Sequence, residues 1–362
     1  MDHFFDNRKS MLFPGLRTLR RAYSPTMLRR LILPLLALAP LFAPAQTPTW
    51  DQLKAIYDVK PLNMDLVKTE DRQAAEGNYT TFSFPSEMGD NVSGVFVRPP
   101  GKGPFPLVVL IHGLGGNGQA MVDSFGKAFL SKGCAVVAID APHSGQRATA
   151  DDKNMITGLF MRYAMSKNQS DGLGAFMFHD NAAANSKYAV ETIEGGVKDL
   201  RQAIAWAKAP GHRVDPSKIG VMGMSMGSIE AAILSGVDPD INADLLIIGG
   251  DPIAPFLDQV PASDRLIDSG AACSLYLAHS TAHVMMLNGY NDNVMIRSDA
   301  QRLFESAPGT TLVFIDTPGD MGHGFGHSIS AEGYSFGEEW LAKMIGVPKP
   351  EKRSHLEPSR GA

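Results

Sequence analysis

The sequence predicts an α/β fold: a mostly parallel, eight-stranded sheet with helices on both faces. Three observations carry this. From residue 106 onward, short apolar runs alternate with stretches of helical periodicity, the signature of βαβ units. Those runs are continuously apolar, as strands buried on both faces are. Upstream, Tyr79 to Phe84 and Val92 to Val97 are two further runs, joined through a polar turn containing Gly89-Asp90, and read as an antiparallel pair.

Taken in chain order, residues 1–45 read as a targeting segment. Arg29-Arg30 precede a 13-residue apolar run, Leu31 to Ala43, and Ala43-Pro44-Ala45 resembles a small-residue cleavage site before Gln46. The run is short of the roughly 20 residues that a membrane span needs, so export to a periplasmic or secreted location is expected and no stable membrane anchor. Met27 would itself open a compact signal peptide. Residues 46–346 then form one catalytic domain, beginning with an amphipathic segment over 46–78. The six further strands are Pro106 to Ile111, Ala135 to Ile139, Lys218 to Met222, Leu245 to Ile248, Val284 to Leu287 and Thr311 to Ile315. The stretch 144–187 interrupts the alternation and is rich in Met and Phe (Met155, Phe160, Met161, Met165, Phe176, Met177, Phe178), too apolar for a solvated loop. It reads as a cap whose side chains either line an adaptable apolar pocket or pack on one another and on a helix from Tyr188 to Ala207. A second insertion, 252–283, completes the pocket wall, and 347–362 is a polar tail.

Chemistry enters at Gly223-Met224-Ser225-Met226-Gly227, between a buried strand and an apolar helix. In a glycine-rich chain the bare G-x-S-x-G pentapeptide is weak evidence, so its setting must carry the case. That setting is a nucleophile elbow: a serine on a sharp strand-to-helix turn, flanked by glycines that let neighbouring backbone approach without a Cβ clash. Downstream, Asp292 follows the strand ending at Leu287, and His323 lies in the loop after Ile315. Serine, acid and histidine in that order, with the last two on loops after strands, form the series a hydroxyl nucleophile requires: a base to take its proton and a carboxylate to orient the base. Upstream, the strand 106–111 runs into His112-Gly113-Leu114-Gly115-Gly116, a loop able to aim a backbone N–H at an oxyanion.

With these four motifs in order, the chain resembles the α/β-hydrolase superfamily, most closely the dienelactone hydrolase and acetyl-xylan-esterase-like serine esterases, over roughly residues 79–346. The resemblance implies Ser225 as nucleophile, His323 as general base and acid, Asp292 as its orienting acid, and the N–H groups of Leu114 and Met226 as the oxyanion hole. It further implies a small-molecule ester as substrate and no cofactor. His112 and His143 are candidates for the substrate pocket, with His112 also suited to hydrogen bonds within the oxyanion loop. Asp140 to Arg147 resembles the family's loop after the next strand. A serine peptidase or a thioesterase of the same fold is the nearest alternative, although the chain leaves no room for a large N-terminal propeller.

Several residues have rivals. Asp292 lies in a turn-rich stretch and could be a turn residue; Asp251 is the alternative acid. His327 competes with His323 in the same glycine-rich loop, where the resemblance favours His323, which sits at the family's usual distance after the last strand. Gly113 to Gly118 satisfies G-x-G-x-x-G, with Asp140 about 20 residues on, so an NAD-binding oxidoreductase is the rival from another class. It leaves the Ser225 series unexplained. A binding protein that kept the fold but lost turnover is a further alternative, disfavoured by the complete series. For metals, His279 with His283 and His323 with His327 are spaced i, i+4, but no H-E-x-x-H and no cysteine cluster occurs, so no metal is expected. Nucleic-acid binding is not expected of a chain with formal charge −5 and no basic run interleaved with aromatics. Removing residues 1–45 takes away seven basic and two acidic side chains and leaves a mature charge of −10. Cys134, at the start of an apolar strand, reads as a buried free thiol rather than half of a bridge to Cys273.

Overall fold

The computed structural model describes residues 48–167, 169–259, 269–307, 309–315 and 326–346, without the side chains of residues 180–186 and 258. Residues 1–45, expected to be a targeting segment, the tail expected over 347–362 and His323 lie outside the described residues. Nine strands form one sheet in the order β1-β2-β3-β5-β4-β6-β7-β8-β9: β1 (Lys68–Ala74), β2 (Gly77–Pro85), β3 (Asn91–Arg98), β4 (Phe105–Ile111), β5 (Ala135–Ile139), β6 (Val214–Met224), β7 (Ile241–Ile247), β8 (His283–Gly289) and β9 (Thr311–Ile315). β1, β2, β3 and β5 pair antiparallel; β5, β4 and β6 to β9 pair parallel.

All eight expected strands are present. The ninth, β1, falls in the stretch read as an amphipathic segment: its sequence KTEDRQA carries no apolar pattern because nearly every residue is exposed at the sheet edge, paired only with β2. Charged residues on such an edge also discourage pairing with another chain. The interior strands are apolar throughout because helices cover both faces; residues 107–111 and 135–139 are buried without exception.

The helices are α1 (Trp50–Ile56), α2 (Gly118–Met121, continued by a π-helical turn Val122–Gly126 and by Lys127–Ser131), α3 (Ala150–Met165), α4 (Gly172–Ala207), α5 (Met226–Val237), α6 (Ser274–Leu277), α7 (Arg297–Ser306) and α8 (Ala331–Met344). On one face, α4 and α5 pack with β4, β5 and β6 around Leu107, Val109, Val197, Ile204, Ile229 and Ile233; on the other, α2 and α8, the latter through Leu341, cover Val108, Val136 and Leu245. The cap consists of α3 and the first part of α4, which runs unbroken for 36 residues rather than starting at Tyr188. Its interior is a small core of Leu159, Tyr163, Leu173 and Val294. The cap is fastened to the loop after β8: Tyr163 Oη donates to Asn293 O, and Leu173 N–H donates to Val294 O at 3.1 Å. Both outcomes foreseen for its Met and aromatic residues occur, some packing on one another and some lining a cavity, whereas Met161 and Met165 face solvent. Cys134 and Cys273 are buried free thiols. Among the described residues, no helix is long and apolar enough to cross a membrane.

Candidate active site

β6 ends at Met224 and α5 begins at Met226, so Ser225 alone makes the turn, at φ 56° and ψ −120°. A non-glycine residue in that region is strained and persists only where its surroundings over-determine it. Here they do. Ser225 N–H donates to Ile247 O at 2.9 Å, and Ser228 Oγ donates to Ser225 O at 2.6 Å. A Cβ at Gly223 would collide with Gly227 O, and one at Gly227 with Ile111 O, so the flanking glycines allow the helix start to press against both β6 and β4. Met226, in the first turn of α5, has an N–H without an intrahelical acceptor. Leu114 stands opposite in the turn closed by Gly116 N–H to Gly113 O at 2.9 Å.

Asp292 is buried in the loop after β8. Its Oδ1 accepts from Val294 N–H at 2.9 Å and Met295 N–H at 3.0 Å, which is the turn-capping role weighed against catalysis. Its Oδ2 faces the imidazole of His327, 2.7 Å from Nδ1, and His327 Nε2 lies 2.8 Å from Ser225 Oγ. One carboxylate therefore does both. Because the carboxylate accepts, Nδ1 carries the hydrogen and Nε2 accepts from the serine hydroxyl.

The imidazole between Asp292 and Ser225 is thus that of His327; His323, the residue expected there, lies outside the described residues. Gly326 (φ 59°) turns the chain against Asn291, where any Cβ would strike Asn291 O, and this pins the next residue over Asp292. His327 lies three residues before Ser330, whose side chain caps α8, so the start of that helix as well as Gly326 fixes its position.

Other expected site residues have other duties. His112 is buried; Ala141 N–H donates to its Nε2 at 3.0 Å, so Nδ1 bears the hydrogen and donates to Gly113 O at 2.7 Å. Burial holds its pKa below the usual imidazole value, which suits this neutral form. It locks the oxyanion loop and does not face the pocket. His143 (φ 59°) lies with Nδ1 3.1 Å from Asp152 Oδ1 in the first turn of α3, its ring 4.8 Å from that of Tyr188, and stands behind the pocket wall. Asp251, the rival acid, accepts from the N–H groups of Ile253, Ala254 and Ser274. Asp140, which a dinucleotide fold would offer to a ribose, accepts from Gly118 N–H and Gln146 N–H, both at 2.8 Å. Asn117 Oδ1 accepts from Ala120 N–H, and with Gly116 N–H held by Gly113 O and Gly118 N–H by Asp140, both this acid and two of the glycine loop's donors are committed within the protein. His279 stacks on Trp50 at 3.8 Å, and no group of three metal-ligating side chains exists among the described residues.

A cavity of about 130 Å³ opens at Ser225, walled by Met226 and Ile229 of α5, by the cap residues Met155, Phe160 and Met177, and by Phe256 of the second insertion.

The fold matches that of known structures. Acetyl xylan esterase 1 from Thermoanaerobacterium sp. JW/SL YS485 aligns over 83% of this chain and 99% of its own, at TM-score 0.54 and 13% identity. The acetyl xylan esterase from Paenibacillus sp. R4 aligns over 82% and 92%, at TM-score 0.57 and 17% identity. The chain has the α/β-hydrolase fold. A cold-adapted esterase from an Arctic intertidal metagenomic library shares this fold at TM-score 0.51 and 18% identity, over 79% of this chain and 99% of the other. In sequence, 68 residues are 35% identical to esterase FrsA of Enterobacter sp. (strain 638), covering 19% of this chain and 16% of that protein. No family model matches. Within the α/β-hydrolase fold, the elbow serine, the acid after β8 and the histidine before α8 occupy the carboxyl ends of the parallel strands, where loops can converge without disturbing the sheet.

Proposed function

We propose that the protein is an exported serine carboxylic ester hydrolase that cleaves small or medium esters through an acyl-enzyme. One observation carries the reading above the others: a strained serine whose hydroxyl lies 2.8 Å from an imidazole that a buried carboxylate holds from behind at 2.7 Å. Ser225 Oγ attacks the ester carbonyl carbon while His327 Nε2 takes its proton, and Asp292 stabilises the imidazolium through Nδ1–H. Charge moves to the carbonyl oxygen, where Met226 N–H and Leu114 N–H are the donors assigned to it; each such donor typically contributes about 2.7–4 kcal/mol. His327 returns the proton to the departing alkoxide. Water, deprotonated by the same nitrogen, then attacks the acyl carbon and frees the acid and Ser225. The esterase names of the similar proteins agree with an ester as substrate.

Hydrolysis of p-nitrophenyl esters tests this. Ser225→Ala is expected to lower kcat by at least about 10³-fold and to abolish labelling by a fluorophosphonate. Unchanged turnover in the variant, or no hydrolysis of any ester by the parent, overturns the reading. Export rests on Arg29-Arg30, the apolar run 31–43 and the site before Gln46. N-terminal sequencing of protein recovered outside the cytoplasm should begin at Gln46.

A further inference from the structure

We infer that the preferred substrate carries an uncharged, apolar acyl group about the size of a benzoyl or hexanoyl, and that acetyl, charged and polyhydroxylated acyl groups are poor. This rests on the ester-hydrolase reading and specifies which part of the substrate the cavity at Ser225 receives.

The side of the serine on which the cavity lies decides between acyl and alcohol. The leaving alcohol must depart beside His327 Nε2, the atom that returns its proton. His327 is not among the described lining residues of the cavity, whereas Ser225, Met226 and Leu114 are. At Ser225 the cavity is bounded by the two residues assigned to the oxyanion and not by the imidazole, and it is assigned to the group that stays attached to Ser225 Oγ after the alcohol has left.

Its size and lining decide the chemistry. A cavity of about 130 Å³ is comparable with an engineered apolar cavity of about 150 Å³ that stays dry and takes up benzene. An acetyl group would leave most of these walls without contacts. None of the described lining residues is Lys, Arg, His, Asp or Glu, and the polar members are Ser225, Tyr188 and Thr192. Thr192 Oγ1 donates to Tyr188 O at 2.7 Å, so its hydrogen is already spent. A carboxylate or a set of hydroxyls entering here would lose its water with little in return. Across the cavity, Phe178 of the cap stacks on Phe256 of the second insertion, centroids 4.4 Å apart, so the space is bounded by a ring pair and not by open solvent at that point.

The test is a p-nitrophenyl ester series with one alcohol and varied acyl groups: acetate, butyrate, hexanoate, benzoate, decanoate and hemisuccinate. Each buried methylene should raise kcat/KM about fourfold until the cavity is full. Hexanoate and benzoate should then exceed acetate by at least about 30-fold, and hemisuccinate should fall about 100-fold or more below butyrate. Two variants shift the optimum in opposite directions. Ala189→Leu, which fills the cavity, should move the preference toward acetate, and Phe256→Ala, which removes one wall, toward decanoate; fluorophosphonate labelling of Ser225 checks that each variant is folded and competent. Acetate hydrolysed as well as hexanoate, hemisuccinate equal to butyrate, or an optimum unmoved in both competent variants overturns the inference while leaving the ester-hydrolase reading intact. Failure to hydrolyse any ester, with no labelling of Ser225, sinks that reading instead.

Discussion

Which imidazole serves Ser225 is decided by a single contact, the 2.8 Å between His327 Nε2 and Ser225 Oγ. His327→Ala is expected to lower kcat about 10⁴-fold or more, and His323→Ala to leave it within about threefold, in steady-state assays with one ester. The reverse result would return the role to His323. A second residue shows chemistry unconnected with the site. Asp244 is wholly buried on β7, and burial raises its pKa to about 7. Ser235 Oγ lies 2.8 Å from Asp244 Oδ2 and 3.2 Å from Ala232 O, so a protonated carboxyl can donate to the serine while the serine donates to the carbonyl. A carboxyl whose folded pKa is raised contributes stability that is whole below about pH 4 and lost as pH climbs through about 7. Asn mimics the neutral acid, with N–H in place of O–H. Urea unfolding at pH 5 and pH 8 should therefore reveal a loss about 2 kcal/mol smaller in Asp244→Asn than in the parent.

At the scale of elements, the site depends on how two loops are set against strand ends. The elbow was legible because strand, serine and helix are contiguous, and the strain at Ser225 follows from having one residue to make the turn. The histidine loop was not legible. His323 and His327 sit in the same glycine-rich run with nearly identical neighbours, and local chemistry does not distinguish them. What does is the contact of Gly326 with Asn291, between segments far apart in the chain. Gly326→Ala should both strain the left-handed residue, by about 1–2 kcal/mol, and push the loop off Asn291. Since a misplacement of about 1 Å can cost about 10²-fold in rate, kcat and the rate of fluorophosphonate labelling should fall together by about 10- to 100-fold. A loss of stability without a loss of rate would show that the loop position is not what this glycine secures.

Across the whole molecule, one buried arginine joins parts that no single motif predicts. Arg147, in the loop after β5, binds both oxygens of Asp90 in the β2–β3 turn at 2.7 and 2.8 Å, Asp199 of α4 at 2.8 Å, and Asp140 O at 3.1 Å. Ser86 Oγ donates to the same Asp199 at 2.9 Å. The antiparallel extension of the sheet, the loop under the cap and the longest helix are thus tied at one point. Arg147→Ala would leave the buried Asp199 carboxylate without its cation, and a loss of about 3–5 kcal/mol in urea unfolding is expected. A loss below about 1 kcal/mol would mean that the network is satisfied by solvent instead. Ion pairing of this kind is invisible to periodicity, as is β1: an exposed edge strand buries nothing and so leaves no apolar pattern.

By itself the sequence determined the layered α/β sheet and the strand-to-helix turn at Ser225, because each follows from neighbours in the chain: continuous apolar runs and glycines two residues either side of Ser225, whereas Asp292 and Asp251 both follow strands and only the contact with His327 separates them. The tertiary structure alone decided which histidine reaches that serine, that His112 and His143 support the site from behind, and which cap side chains enclose the cavity. Those outcomes depend on contacts between segments tens to hundreds of residues apart, where a difference of one turn in a loop moves an imidazole into or out of hydrogen-bond range.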